Sequence, residues 1–224
     1  MYRHFFKRLL DIVLSLLGIV VFAVPMLIIA VIIKIDSPGP VLFKQKRIGI
    51  HKSTFTILKF RSMPVSVPHD MPTHQFTQES SLSRWQHLER KLSIDELPQL
   101  YNIFVGQMSI VGPRPALWNQ YNLIAERDKY GANDIKPGLT GWAQVNGRDA
   151  LEIEEKARYD GEYVQKLKKH GLRMDWICCW MTVGNVLRQR GVIEGGTGVM
   201  AKQIKKCADE SPVSDVRETE AAKR

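Results

Sequence analysis

The stretch Arg90-Lys91-Leu92-Ser93-Ile94-Asp95-Glu96-Leu97-Pro98-Gln99-Leu100 sets two adjacent carboxylates behind two cations. Adjacent acids on a helix diverge in direction, so one could attack phosphorus while the other holds a Mg²⁺ ion. A plainer reading is a helix start, with Ser93-x-x-Glu96 as a capping box and both acids complementing the helix dipole. Pro98 fits that reading poorly. With Ser93 as N-cap it would be the fifth helical residue, where its missing N–H costs a hydrogen bond. A second basic knot is Val111-Gly112-Pro113-Arg114-Pro115, where two prolines present an arginine rigidly. That suits bidentate phosphate binding, or else is a structural turn with a solvated arginine. Lys59-Phe60-Arg61 places two cations two apart on a predicted strand, so that Lys59 and Arg61 point the same way.

Other familiar chemistry is missing. The chain has no G-x-x-x-x-G-K-[ST], H-E-x-x-H, G-x-S-x-G or strand-following G-x-G-x-x-G. Cys178, Cys179 and Cys207 form neither a disulfide framework nor a zinc spacing, which points to a reducing compartment. The histidines are scattered, with His69 and His74 in a polar loop. Gly195-Gly196-Thr197-Gly198 is a flexible run rather than a phosphate cradle.

With 224 residues, 44% hydrophobic and 25% charged, the chain is a folded protein of one medium domain plus something extra. The formal charge of +9 is uneven: Met1 to Arg61 holds ten Lys/Arg and two acids, which is +8. Those cations flank Ile12 to Ile33, which carries no charge and only Ser15, Gly18 and Pro25 as non-apolar residues. At 1.5 Å per residue it covers about 33 Å, the thickness of a hydrocarbon core, and is too long for a signal-peptide apolar region. Hydropathy alone favours one spanning helix. Pro25, however, predicts a break or kink near Val24. Cations on both flanks also favour both ends in the cytoplasm, which a helix–break–helix hairpin achieves and a single crossing does not. Charge alone would admit a nucleic-acid binder, but no such motif is present and the cations surround an apolar segment, so no nucleic-acid partner is expected.

The elements that must position these residues are short. Asp36-Ser37-Pro38-Gly39-Pro40 ends the membrane segment. Val41–Phe43 and Thr54–Phe60 read as strands joined by a turn carrying Arg47, Gly49, His51 and Lys52. Pro64 to Ser83 reads as a mobile loop and Leu82 to Phe104 as mainly helical. Ser109 to Pro115 is a compact turn, and Trp118 to Tyr130 an amphipathic helix closed by Gly131. Ile135 to Arg148 has too many glycines for a regular element, and Leu151 to His170 is a helix. Leu172 to Arg190, with Trp176 and Trp180 one turn apart, is either a core helix or one lying on a bilayer. The fold class expected is α+β, mainly α. Residues 1–36 would be the membrane helix, 37–207 a catalytic domain resting on the membrane, and 208–224 a disordered charged tail.

Four blocks, in order, resemble the bacterial sugar transferase family, the small monotopic polyprenyl-phosphate phosphoglycosyltransferases. They are Asp36-Ser37-Pro38-Gly39-Pro40-Val41-Leu42-Phe43-Lys44-Gln45 leading to Lys59-Phe60-Arg61-Ser62-Met63; Asp95-Glu96-Leu97-Pro98-Gln99-Leu100; Met108 to Pro115; and Lys136-Pro137-Gly138-Leu139-Thr140-Gly141-Trp142-Ala143-Gln144-Val145-Asn146-Gly147-Arg148. With the apolar segment, the likeness runs from about Arg8 to Leu187. It implies a re-entrant membrane helix, broken here at Val24-Pro25 where the family often has Ser-Pro, entering and leaving on the cytoplasmic face of the bacterial inner membrane.

The resemblance also implies a reaction. Asp95 would attack the sugar-bearing phosphorus of a UDP-sugar, releasing UMP. Undecaprenyl or another polyprenyl phosphate would then displace Asp95 to give a polyprenyl-diphospho-sugar, the first membrane step of exopolysaccharide, capsule, O-antigen or glycoprotein glycan synthesis. Glu96 would bind Mg²⁺. Arg90, Arg114, Lys59 and Arg61 would hold phosphates, and Gln144, Asn146 and Arg148 would contribute more weakly to the nucleotide sugar. Membrane lipids are implied partners, and a homodimer is compatible with the sequence. A non-catalytic membrane-anchored scaffold, with Ser93 to Leu100 as no more than a capped helix, is the rival reading.

Overall fold

The computed structural model describes residues 2–63, 83–147 and 151–187. The loop centred on 64–82, Arg148, the glycine run and the tail at 208–224 lie outside the described residues. The fold is mainly helical with two small two-stranded sheets, an α+β arrangement.

The apolar segment forms two helices, α1 (Lys7–Val21) and α2 (Ala23–Asp36), bent by 59° at Phe22. The break falls three residues before Pro25 rather than beside it. A proline ring clashes with the carbonyl four residues upstream, here that of Val21, the last residue of α1. Phe22 takes φ −92°, ψ 6°, and its carbonyl is met by the Met26 amide at 2.8 Å, so the ladder resumes at once. Among the described residues no single helix is long and apolar enough to cross a membrane; only this bent pair passes on length and composition.

Asp11, Arg8 and Lys7 bind α1 to the body. The Asp11 carboxylate, buried in α1, accepts from Ser109 Oγ at 3.0 Å and the Ile110 amide at 2.9 Å. Arg8 donates to the carbonyls of Ile103 and Phe104, both at 2.7 Å. Lys7 pairs with Asp175, whose other oxygen accepts from the Tyr163 hydroxyl at 2.6 Å. Charge in a mostly apolar setting is retained only when paired, so each contact fixes the depth and rotation of α1. Most of the outer surface of α1 and α2 is exposed and apolar, including Leu17, Val20, Val24, Leu27 and Ile35. α2 buries only Ile29 and Ile33, against Phe60 and the half-buried Trp85 and Ile94.

Strands β1 (Leu42–Ile48) and β2 (Thr54–Phe60) form an antiparallel hairpin in which Phe43 faces Lys59 and Arg47 faces Phe55. Arg47 therefore belongs to a strand, not to the turn expected for it. Its connection carries His51 and Lys52 at positive φ. Within the stretch expected to be mainly helical, α3 (Arg84–Leu92) and α4 (Gln99–Phe104) are separated by Ser93 at φ +54° and a 3-10 turn over Ile94–Glu96. The capping box is made by Ser83 and Gln86 at the start of α3. Ser93 is the left-handed C-cap of α3 and makes no N-capping side-chain bond, so the capped-helix reading of Ser93–Glu96 fails.

β3 (Ser109–Val111) runs parallel to β4 (Gly138–Thr140), with α5 (Tyr121–Asp128) in the connection between them, and the short α6 (Trp142–Val145) follows β4. The glycines read as breakers therefore lie in and beside regular elements. A Cβ on Gly138 would fall inside the backbone of Gly112, so these backbones meet only without side chains. α7 (Ile153–His170) packs on α5 through the buried pair Arg127–Asp160. In α8 (Leu172–Leu187) Met174, Asp175 and Cys178 point into the core, while Trp176 and Trp180 stack edge-to-face on the outside, 61% and 62% exposed. The core-helix alternative therefore holds for one face only.

Candidate active site

Asp95 and Glu96 sit on the 3-10 turn between α3 and α4, both buried. The turn exists because Ser93 leaves the helix in a left-handed conformation, while Pro98, as N-cap of α4, needs no N–H. A tight 3-10 turn places consecutive side chains on separate headings, as the two roles require.

Glu96 Oε1 accepts from Lys59 Nζ at 2.8 Å and from Arg114 Nη2 at 3.0 Å. Lys59 Nζ also lies 3.8 Å from Asp95 Oδ2. The hairpin brings Lys59 up from β2, and the turn after β3 presents Arg114. Two of the predicted phosphate ligands thus converge on the predicted acids from elements distant in sequence.

Arg47 belongs to the same cluster and was not singled out from the sequence. Its guanidinium is held by the Gln45 amide oxygen and by the Pro115 carbonyl at 2.9 Å, next to Arg114. Burial, and then repulsion from Arg114, pushes it down to about 9, against the pull of Glu96, so it stays cationic at pH 7. A signal was available: the antiparallel register places residue 47 on the same hairpin face as Lys59.

Arg61 goes elsewhere. It donates to the Pro38 carbonyl at 2.9 Å, the Ser37 carbonyl at 2.7 Å and Ser37 Oγ at 2.8 Å, closing the C-terminus of α2. Its place is at the helix end, where a guanidinium meets orphan carbonyls. Arg90, on α3, has a buried Nη1 with no hydrogen-bond partner, a donor suited to an incoming anion. Gln144 donates to the Leu139 carbonyl at 3.0 Å and leaves its Oε1 buried and unpartnered. Asn146 donates to the Trp142 carbonyl at 2.7 Å, finishing α6.

Glu89 is the other unheralded residue. It lies on α3, six positions before Asp95, with 0% exposure and neither carboxylate oxygen hydrogen-bonded. Burial pushes it up to about 7; Asp95 and Asp36 add to the rise, and Trp85 and Arg61 oppose it.

No cluster of three or more metal-type side chains occurs among the described residues. Mg²⁺ is commonly held by one or two carboxylates, with water and substrate phosphates completing its shell.

The profile of the bacterial sugar transferase family matches residues 2–189. An uncharacterized sugar transferase of Bacillus subtilis, EpsL, is 38% identical over 186 residues, 83% of this chain and 89% of that protein. The UDP-glucose:undecaprenyl-phosphate glucose-1-phosphate transferase of Escherichia coli is 38% identical over 71% of this chain, which spans 36% of its length. The UDP-N-acetylgalactosamine-undecaprenyl-phosphate N-acetylgalactosaminephosphotransferase of Aeromonas hydrophila is 36% identical over 82% of this chain, which spans 44% of its length. The chain therefore corresponds to less than half of those two longer transferases, and it belongs to the bacterial sugar transferase family.

Proposed function

We propose that the protein moves a sugar-1-phosphate from a UDP-sugar to a polyprenyl phosphate, through a phosphosugar held on Asp95. The observation that carries this reading is the buried Asp95–Glu96 pair, with Lys59 and Arg114 converging on it beside an exposed apolar helix pair. An Asp95 oxygen bonds to the sugar-bearing phosphorus, and the bond from that phosphorus to the bridging oxygen breaks. UMP leaves with the bridging oxygen and the electron pair. A phosphate oxygen of the lipid then attacks the same phosphorus and displaces the Asp95 carboxylate, leaving a polyprenyl-diphospho-sugar.

One diphosphate linkage replaces another, so the difficulty is charge rather than bond energy. Lys59, Arg114 and Arg47 offset the repulsion between the nucleophile and two anionic substrates. Mg²⁺ held by Glu96 and the substrate would supply further neutralisation of phosphate charge when bound. The bent helix pair is read as a re-entrant anchor, with the site at the cytoplasmic face of the bacterial inner membrane, where a lipid phosphate can reach it. The exposed Trp176 and Trp180 suit the headgroup level. The glucose and N-acetylgalactosamine relatives support a hexose-type donor.

The test is mass spectrometry after incubation with UDP-sugars and Mg²⁺ but no lipid. A covalent phosphosugar on the peptide containing Asp95, with matching UMP, is expected. Asp95→Asn should abolish both and Glu96→Gln should nearly do so, while Glu126→Gln on α5 should leave both intact. Full turnover by Asp95→Asn would refute the mechanism.

A further inference from the structure

A cavity of about 450 Å³ lies between α1, α4 and α8 and reaches Glu96. Glu96, Ser93 and Gln144, whose Oε1 is unpartnered, contribute polar atoms to its lining, as do Thr140, Thr182 and Asn185. The rest of the lining is mostly apolar. Leu14 and Gly18 of α1, with Phe22 at the break, form one wall, and Cys179, Val183 and Val186 of α8 form another. Four of these, Leu14, Phe22, Val183 and Val186, are also between 41% and 49% exposed, so the mouth opens onto the outer apolar surface of the two helices. Gly18 brings α1 close to α4: a Cβ there would press on Leu100 at 3.1 Å.

Such a site, in the size range of small-molecule pockets, suits an amphiphile with one charged end and a linear hydrocarbon body. Thr140, Thr182 and Asn185 on the walls already hydrogen-bond within the protein, so a sugar or nucleotide would find few partners there and burying its hydroxyls would be costly. Resting on the function proposed above, we infer that this cavity is the acceptor channel. The first isoprene units of the lipid phosphate would lie between α1 and α8, with the phosphate directed to Glu96 and its cations and the rest of the chain passing into the bilayer. The UDP-sugar would then reach Asp95 by another approach, consistent with two substrates that never occupy the protein as a single unit.

Val183→Trp and Cys179→Phe place bulk in the mouth and the body of the cavity without touching a charged residue. For each, KM for undecaprenyl phosphate in detergent micelles should rise by at least about tenfold, the loss that excluding about two methylenes would bring. KM for the UDP-sugar, and the yield of phosphosugar adduct formed without lipid, should stay at wild-type levels; the adduct also reports that each variant is folded. Unchanged lipid KM in both variants, with adduct intact, would overturn the channel while leaving the transfer mechanism standing. A rise in the KM for the UDP-sugar instead would assign the cavity to the donor and overturn the inference. Failure of the wild-type protein to form an adduct would strike the underlying mechanism rather than the channel.

Discussion

Replacing Glu89 with glutamine tests whether a buried acid behind Asp95 makes the fold sensitive to pH. Its carboxylate has no exposure and no hydrogen bond, and the Trp85 indole faces it without an aligned one. Burial, reinforced by Asp95 and Asp36, lifts it from 4.5 in the ordinary state to about 7 in the folded protein. Between those two values the folded state binds more proton than the unfolded chain, so stability falls as pH rises through the window. At about 1.4 kcal/mol per unit, the accumulated loss by pH 8 is at most about 3 kcal/mol. Below pH 4.5 both states are protonated, and the group contributes no pH dependence.

Glu89→Gln keeps the shape and removes the titration. Wild type and variant should unfold at similar temperatures at pH 5. By pH 8 the variant should unfold roughly 6–12 °C higher, since 1 kcal/mol shifts the midpoint of a protein this size by about 2–4 °C. Glu89→Leu, which also removes the unpartnered oxygens, should show the same divergence. The measurement is thermal unfolding in one detergent across pH 5 to 8. Parallel curves for wild type and both variants would refute the reasoning, because they would mean that Glu89 ionises as easily in the folded state as in the unfolded one.

Lys59→Met removes one of the cations on Glu96, leaving Arg114 to hold it; turnover should fall by about 10²–10³, with about 3 kcal/mol of stability lost from the broken buried pair. Retained turnover in steady-state assays would show that Lys59 is structural only. Arg61→Gln should do the reverse, costing about 2 kcal/mol of stability through the lost carbonyl contacts at the end of α2, with KM for the donor unchanged in the folded fraction; a raised donor KM without a lowered unfolding temperature would return Arg61 to the phosphate site. Single cysteines at Phe5 and Ile35, in an otherwise cysteine-free chain in sealed membrane vesicles, should react with an impermeant reagent from the same side. Reaction from opposite sides would mean that the bent pair spans the bilayer.

The family of this chain was more legible than its local geometry. On residue types alone Asp95 and Glu96 were equally compatible with a plain helix start, and it was the resemblance of the surrounding blocks that singled them out; Lys59 and Arg114 drew notice because strand alternation and flanking prolines constrain where they point. Arg61 shared the strand parity of Lys59, but parity fixes a side of the sheet and not the distance along it. Beyond the last pairing of β2, residue 61 meets the carbonyls of α2 instead of the acids. The break at Phe22 was displaced from its cause because proline acts on the carbonyl four residues back. The 3-10 turn was hidden by Ser93, whose type suggests an N-cap but whose positive φ makes it the end of the preceding helix. Glu89 and Arg47 could not be ranked as buried from types that are usually exposed; burial of a charge depends on contacts made across the fold.

Those contacts give the site its electrical character. Two carboxylates face three cations, Lys59, Arg114 and Arg47, the last packed against Arg114 in spite of its like charge. In a purely structural cluster the third cation is a liability, since two salt-bridged pairs would satisfy the acids at lower desolvation cost. An excess of buried positive charge becomes favourable when an anion arrives, and a diphosphate brings more negative charge than the excess cation alone can neutralise. On the function proposed above, a divalent ion held by Glu96 would meet that shortfall. The shortfall also explains why Glu89 is best kept protonated: a further negative charge behind Asp95 would oppose the anion that the cluster is built to admit.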